Sequence, residues 1–210
     1  MINKLFIITV ILTSNVFISR AQLGVQVGAL FVPGEAFLTS PENGMSYSDP
    51  LSGTLRYTAG ISYGYRITTH LVVRPELNWL HKMWEDWDYG FGDVKMSINY
   101  LELPLQLVFT SKGNEGIMIG GGPAILYGIG GKFKDVSSGN EYPYKFNEPD
   151  GEKALTLGVN VMLGYRFKRA FFSLNYNRGL TNRDEHPDNF FLNHGNESHV
   201  ALRVGYMFLK

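Results

Sequence analysis

Residues 155–167 read LTLGVNVMLGYRF, and the stretch alternates at every step. Leu155, Leu157, Val159, Val161, Leu163, Tyr165 and Phe167 fall on one side; Thr156, Gly158, Asn160, Met162, Gly164 and Arg166 fall on the other. Successive side chains of a strand point to opposite faces. This is therefore one strand with an apolar face that ends in two aromatics, and an opposite face of small and polar residues. A strand that crosses a membrane needs ~9–11 tilted residues, apolar toward lipid and polar toward the interior. Residues 155–167 have the length and both faces.

The same alternation recurs in segments 22–32, 55–67, 71–84, 95–110, 116–134, 170–178 and 198–209. In segment 55–67, Leu55, Tyr57, Ile61, Tyr63 and Tyr65 oppose Arg56, Ser62, Gly64 and Arg66. In segment 95–110, Leu101, Leu103, Leu105, Leu107 and Phe109 oppose Tyr100, Glu102, Pro104 and Gln106. The connections alternate in length. Those at 68–70, 111–115 and 168–169 are short; those at 33–54, 85–94, 135–152 and 179–197 are mostly long. Short turns at one end and long loops at the other are the rhythm of an up-and-down membrane barrel, with short turns in the periplasm and long loops outside. The expected fold is all-β: an eight-stranded antiparallel up-and-down transmembrane β-barrel over 22–210, with both termini in the periplasm. Outward aromatics collect at the segment ends. Tyr65, Phe109, Phe167, Phe172, Tyr206 and Phe208 sit at the short-turn ends, and Phe31, Tyr57, Trp79, Tyr127 and Tyr176 at the long-loop ends. Two aromatic belts, one per interface, are what amphipathic rings prefer.

Composition agrees. The formal net charge is +0, so nothing favours nucleic acid or another polyanion. Mean hydropathy is close to zero, which excludes a bundle of apolar helices but not a barrel, whose apolar residues hide in alternation. The 24 glycines suit turns and a crowded barrel interior. The absence of cysteine removes disulfides, thiolate metal sites, a catalytic thiol and a lipidated cysteine. At the N-terminus, Lys4 precedes an apolar stretch from Leu5 to Ile18, and Ser19-Arg20-Ala21 offers small residues to a signal peptidase. The stretch is short for a membrane helix, so residues 1–21 are expected to be a cleaved signal peptide, and Gln22 the first mature residue.

The inward parity carries Arg56, Arg66, Arg74, Glu76, Lys82, Glu102, Arg166 and Arg203, separated by Gln26, Asn78, Gln106, Asn160 and Asn175. Eight strands enclose only enough space for their own side chains, and an unpaired charge there costs several kcal/mol, by order of magnitude. A structural interior polar network of Arg66, Arg74, Glu76, Glu102, Arg166 and Arg203 is therefore expected, with Glu76 and Glu102 paired to arginines, Arg74 and Arg203 first among them. Pro104 and Pro123 lack a ladder donor and are expected to mark bulges or distort neighbouring strands.

No catalytic residues, cofactor or metal are expected. G-x-S-x-G is absent. A lipid-modifying site could be assembled only from His81 and His199 near the outer rim, and Ser198 beside His199 faces the other way. The segment Arg183-Asp-Glu-His-Pro-Asp188 has oxygen and imidazole groups without metal-site spacing. The tip Trp84-Glu-Asp-Trp-Asp-Tyr-Gly-Phe91 suits a belt running into a solvated loop, with sugar or protein binding as the alternative. Gly120-Gly-Gly-Pro123 is not followed by the helix and lysine of a phosphate loop.

Several motifs resemble those of the small outer-membrane β-barrel proteins of Bacteroidetes, the PorT-like group. They are Asn99-Tyr-Leu-Glu-Leu-Pro-Leu105, Gly120-Gly-Gly-Pro-Ala-Ile-Leu-Tyr127, Gly164-Tyr-Arg-Phe167, Asn175-Tyr-Asn-Arg-Gly-Leu-Thr181 and Gly205-Tyr-Met-Phe208. The likeness runs through nearly all of 22–210. It implies a Gram-negative outer-membrane barrel with no catalytic residues, in a group of which some members serve secretion and gliding machinery. The expected function is a non-enzymatic structural or interaction role in the envelope. Its expected partners are outer-membrane lipid, the barrel-assembly machinery during insertion and an envelope protein met through the long loops. The alternatives are an envelope enzyme that modifies lipid and a soluble lipocalin-like barrel, which needs the apolar face inside.

Overall fold

A computed structural model describes residues 21–31, 38–39, 46–47, 56–86, 94–148, 152–181 and 198–208. Residues 1–20 of the expected signal peptide, the segment 183–188, His194 and the tip residues 87–91 lie outside the described residues.

Eight antiparallel strands close into a ring: β1 (Ala21–Phe31), β2 (Tyr57–Arg66), β3 (Leu71–Asp86), β4 (Val94–Lys112), β5 (Glu115–Asp135), β6 (Leu155–Phe167), β7 (Ala170–Gly179) and β8 (Ser198–Met207). Each pairs with its neighbours in sequence. The ring shuts where Val25 of β1 pairs with Tyr206 of β8 on one side and with Ile61 of β2 on the other. Closure removes both edges, so backbone polar groups are paired within the wall. Short pairings outside the ring join Leu38–Thr39 to Ser46–Tyr47, and Glu141–Tyr144 to Gly131–Lys134 of β5.

The faces divide as the alternation requires. Along β6, Leu155, Leu157, Val159, Val161, Leu163, Tyr165 and Phe167 are exposed, whereas Thr156, Asn160, Met162, Gly164 and Arg166 are buried. The apolar face is outward, the reverse of a lipocalin. Register gathers the outward aromatics into two rows. Tyr165 lies opposite Phe172 and Ile117, and Leu71 opposite Phe109, at the short-turn end. Trp79, Leu101 and Tyr127 follow one another across β3, β4 and β5 toward the other end.

The prolines distort the pairing, as expected, but make no bulges. Pairing skips from Ser62↔Glu76 to Tyr65↔Val73 beside Pro75, from Pro75↔Leu105 to Asn78↔Glu102 beside Pro104, and from Pro104↔Ala124 to Leu107↔Gly121 beside Pro123. Each proline lacks an N–H and opens a gap on one side of its strand, but the register resumes unshifted. The bulges lie elsewhere. One falls where Asn99 pairs with Gly130 and Tyr100 with Gly128, so that Ile129 is extra. Gly130 adopts φ 138°, a conformation that a side chain would strain.

β4 (19 residues) and β5 (21 residues) outrun β7 and β8 (10 residues each) at the long-loop end. After Tyr144 the chain turns back over the mouth. The Phe146 ring lies 5.8 Å from that of Tyr100 and 5.1 Å from that of Tyr144. Phe146, Tyr144 and Met96 pack against a buried cluster of Leu30, Leu80, Ile98, Tyr100, Leu126 and Ala201. A second apolar cluster, Val108, Met118, Met162, Phe171 and Met207, packs inside the ring toward the short turns. The interior is therefore layered, with apolar groups either side of a polar middle, and is not polar throughout. Two-residue alternation identifies the inward side chains but says nothing about the height at which they meet.

Gly128 makes room for Phe146: a Cβ there would lie 2.3 Å from its ring. The Gly128→Ala variant is expected to push the ring off Tyr100 and cost about 1–3 kcal/mol by overpacking. Limited proteolysis at the adjacent Lys145 reads the change. Unaltered cleavage and stability would refute the plug.

Candidate functional site

The polar middle is built from inward positions of β1, β3, β4, β6, β7 and β8. Arg203 of β8 is its hub, with its side chain 0% exposed. Its Nη1 donates to Glu76 Oε2 at 3.2 Å and its Nη2 to Glu102 Oε2 at 2.6 Å. Arg74, two positions before Glu76 on the same face of β3, approaches Glu76 Oε1 at 2.8 Å. That contact lacks hydrogen-bond alignment, so charge alone holds Oε1. The Arg74 guanidinium instead aims Nε and Nη2 at Gln106 Oε1, at 3.2 and 2.9 Å, and lies over the Phe171 ring.

Amides complete the cluster. Gln26 Nε2 donates to Glu76 Oε2 at 2.9 Å and to Asn78 Oδ1 at 2.6 Å. Asn78 Nδ2 donates to Glu76 Oε2 at 3.1 Å and to Glu102 Oε2 at 3.0 Å, which ties the two carboxylates together. Gln106 donates onward to Asn160, and Asn160 to Asn177 Oδ1 at 2.9 Å. His199 Nε2 stands 2.9 Å from Glu102 Oε1. Each carboxylate thus meets a cation and at least one amide donor, the condition for holding buried charge. Lys82, also wholly buried, lies over the Tyr100 ring at 5.0 Å.

Of the six charged residues named from the sequence, the fold brings together Arg74, Glu76, Glu102 and Arg203. Arg66 and Arg166 stand apart at the short-turn rim. Arg66 Nη2 donates to Asn114 Oδ1. Arg166 donates Nη1 to Gln22 Oε1 and Nε to the Lys168 carbonyl, both at 2.9 Å. The strands are tilted and of unequal length, so a shared parity does not place two residues at one height.

His199 belongs to this middle and not to an outer-rim site with His81. It shares its inward parity with Ala201 and Arg203, and that was the available signal. His81 lies on the opposite face of the wall, against the rings of Tyr57 at 4.9 Å and Trp79 at 5.9 Å, with Nδ1 2.9 Å from Asn99 Oδ1. The two histidines do not share a site. A small cavity of about 20 Å³ beside Glu102, Asn177 and His199 has room for about one water. Among the described residues, no three His, Asp or Glu side chains gather as metal ligands.

An apolar outer wall, aromatic rows at both ends and ion pairs inside define a membrane-spanning β-barrel. The chain belongs to the outer membrane protein beta-barrel domain family, whose model matches residues 13–185. Among solved structures it is similar to Ail, the attachment invasion locus protein of Yersinia pestis. The crystal structure of Ail shares 10% identity at a TM-score of 0.49, covering 90% of this chain and 97% of that one. Ail in complex with the heparin analogue sucrose octasulfate gives 11% identity and a TM-score of 0.48 over the same shares. Ail in a phospholipid bilayer nanodisc gives 14% and 0.42, covering 90% of this chain and 99% of that one. No curated protein matches the chain.

Proposed function

We propose that this outer-membrane barrel is a non-enzymatic structural or interaction component of the cell envelope, whose working surface is the set of long loops. One observation carries the reading: Arg203 of β8 reaches across the interior to Glu76 and Glu102 at 3.2 and 2.6 Å, and two apolar clusters fill the interior beside it. Such an interior is a support, with neither a conduit nor a ligand chamber. The separate placing of His81 and His199 speaks against a lipid-modifying site assembled from those two residues. The short turns and both termini would face the periplasm, with the long loops outside, as loop asymmetry in bacterial barrels supports.

The motifs shared with PorT-like barrels of Bacteroidetes favour a place in a secretion or surface assembly. In this reading the chain is made with residues 1–21 as a signal peptide and inserted by the barrel-assembly machinery, and it meets an envelope protein through its loops. Conductance is the direct test. Purified, heat-modifiable barrel in planar bilayers should pass no steady current above baseline. Robust single-channel steps would overturn the filled interior and with it the scaffold reading.

A further inference from the structure

The short-turn end of the ring holds an open cavity of about 630 Å³. Its lining includes three cationic side chains, Arg166, Lys168 and Arg169, against one carboxylate, Glu115. The cavity is held in place by its own backbone. Arg166 Nε donates to the Lys168 carbonyl at 2.9 Å, and the Met207 N–H donates to the Arg169 carbonyl at 2.8 Å.

Two further observations point to a ligand. Lys168 is the first residue of the two-residue connection between β6 and β7, and its φ is 55°. Glycine takes that conformation without strain, and hairpins favour it where the first turn residue has positive φ. The tight turn calls for that conformation, and with lysine rather than glycine in it the turn presents two adjacent cations, Lys168 and Arg169, at the edge of the cavity. The second observation is height. Lys168 Nζ lies 5.5 Å over the Phe167 ring, and Phe167 is 61% exposed on the lipid-facing side. Tyr206 completes the wall of the cavity and packs edge-on to Phe208 at 5.5 Å. The cations therefore stand at the level of the aromatic row, where lipid headgroups lie.

We infer that this niche binds the phosphate of an anionic phospholipid, with Lys168 and Arg169 on the phosphate and the acyl chains along Phe167 and Tyr206. The inference needs the aromatic row to lie at a lipid interface. It is independent of which side the short turns face and of what the loops do.

Native mass spectrometry of the full barrel in detergent, offered phosphatidylglycerol or phosphatidylcholine at equal concentration, tests it. The wild type should retain phosphatidylglycerol in preference. The double variant K168G/R169Q removes both charges and relaxes the backbone, so the barrel should stay heat-modifiable while that preference falls roughly thirtyfold. K132Q/K134Q, at the far end of β5, should leave the preference intact. Equal retention of the two lipids by the wild type would overturn the site, as would an undiminished preference in folded K168G/R169Q. An equal loss in K132Q/K134Q would reduce it to general surface charge. If glycerol phosphate displaces the lipid as readily as phosphatidylglycerol itself does, the niche binds free phosphates and the lipid assignment fails.

Discussion

Arg203→Met is expected to destabilise the barrel by about 3–5 kcal/mol, because removing the shared cation leaves buried Glu76 and Glu102 facing each other through Asn78. Both guanidinium contacts disappear at once, and the site is closed to bulk solvent: the side chains of Arg203 and Glu76 are 0% exposed and that of Glu102 1%. The loss is electrostatic, not volumetric, since methionine fills much of the same space. Adding E76Q and E102Q to R203M should therefore return most of the lost stability. A set of buried ions replaced together often costs little, whereas a broken one costs much. Denaturant midpoints followed by the heat-modifiable gel shift would measure both. An R203M penalty below about 0.5 kcal/mol, the range of neutral surface changes, would refute the hub. So would a triple variant as unstable as R203M.

The second large effect belongs to the outer face. Val161, 56% exposed, sits at the middle of β6. Val161→Arg is expected to cost about 2–4 kcal/mol in a bilayer, the penalty for a cation at mid-depth of a barrel wall. Phe167→Arg lies six residues further along the same face, in the aromatic row, and should cost only about 0–1 kcal/mol on that account, because arginine there reaches the headgroups. Folding into lipid vesicles at graded denaturant would compare the two. Equal penalties would mean that β6 does not span the bilayer in the proposed frame. A neutral V161R would mean that its outer face meets water.

Much of this architecture was legible in the chain. All of the alternating segments became strands, with ends displaced by two residues at most, and 155–167 became β6 without change. The reason is that strand parity is local: one misplaced residue would turn a whole apolar face inward. That Glu76 and Glu102 meet arginines, and that these are Arg74 and Arg203, follows from the same rule plus the cost of unpaired buried charge; which arginine meets which acid does not. The proline effect was less legible. Pro104 and Pro123 distort the pairing beside them, one of the two effects expected, but make no bulge, because a missing N–H removes a bond without inserting a residue. The extra residue of a bulge came instead at Ile129, beside a glycine that accepts positive φ.

The amino-acid sequence by itself determined the strands, their two faces, the antiparallel order and the sign of charge inside, because each depends on residue type and a two-residue period. Only the tertiary structure decided which inward residues meet. Ring closure and tilt bring Arg203, near one end of the chain, onto Glu76 and Glu102. They leave Arg66 and Arg166 at the rim, fold Phe146 over the mouth and set Lys168 beside Phe167 at the short-turn edge. Those meetings depend on register around a closed wall, a long-range quantity that no local pattern carries.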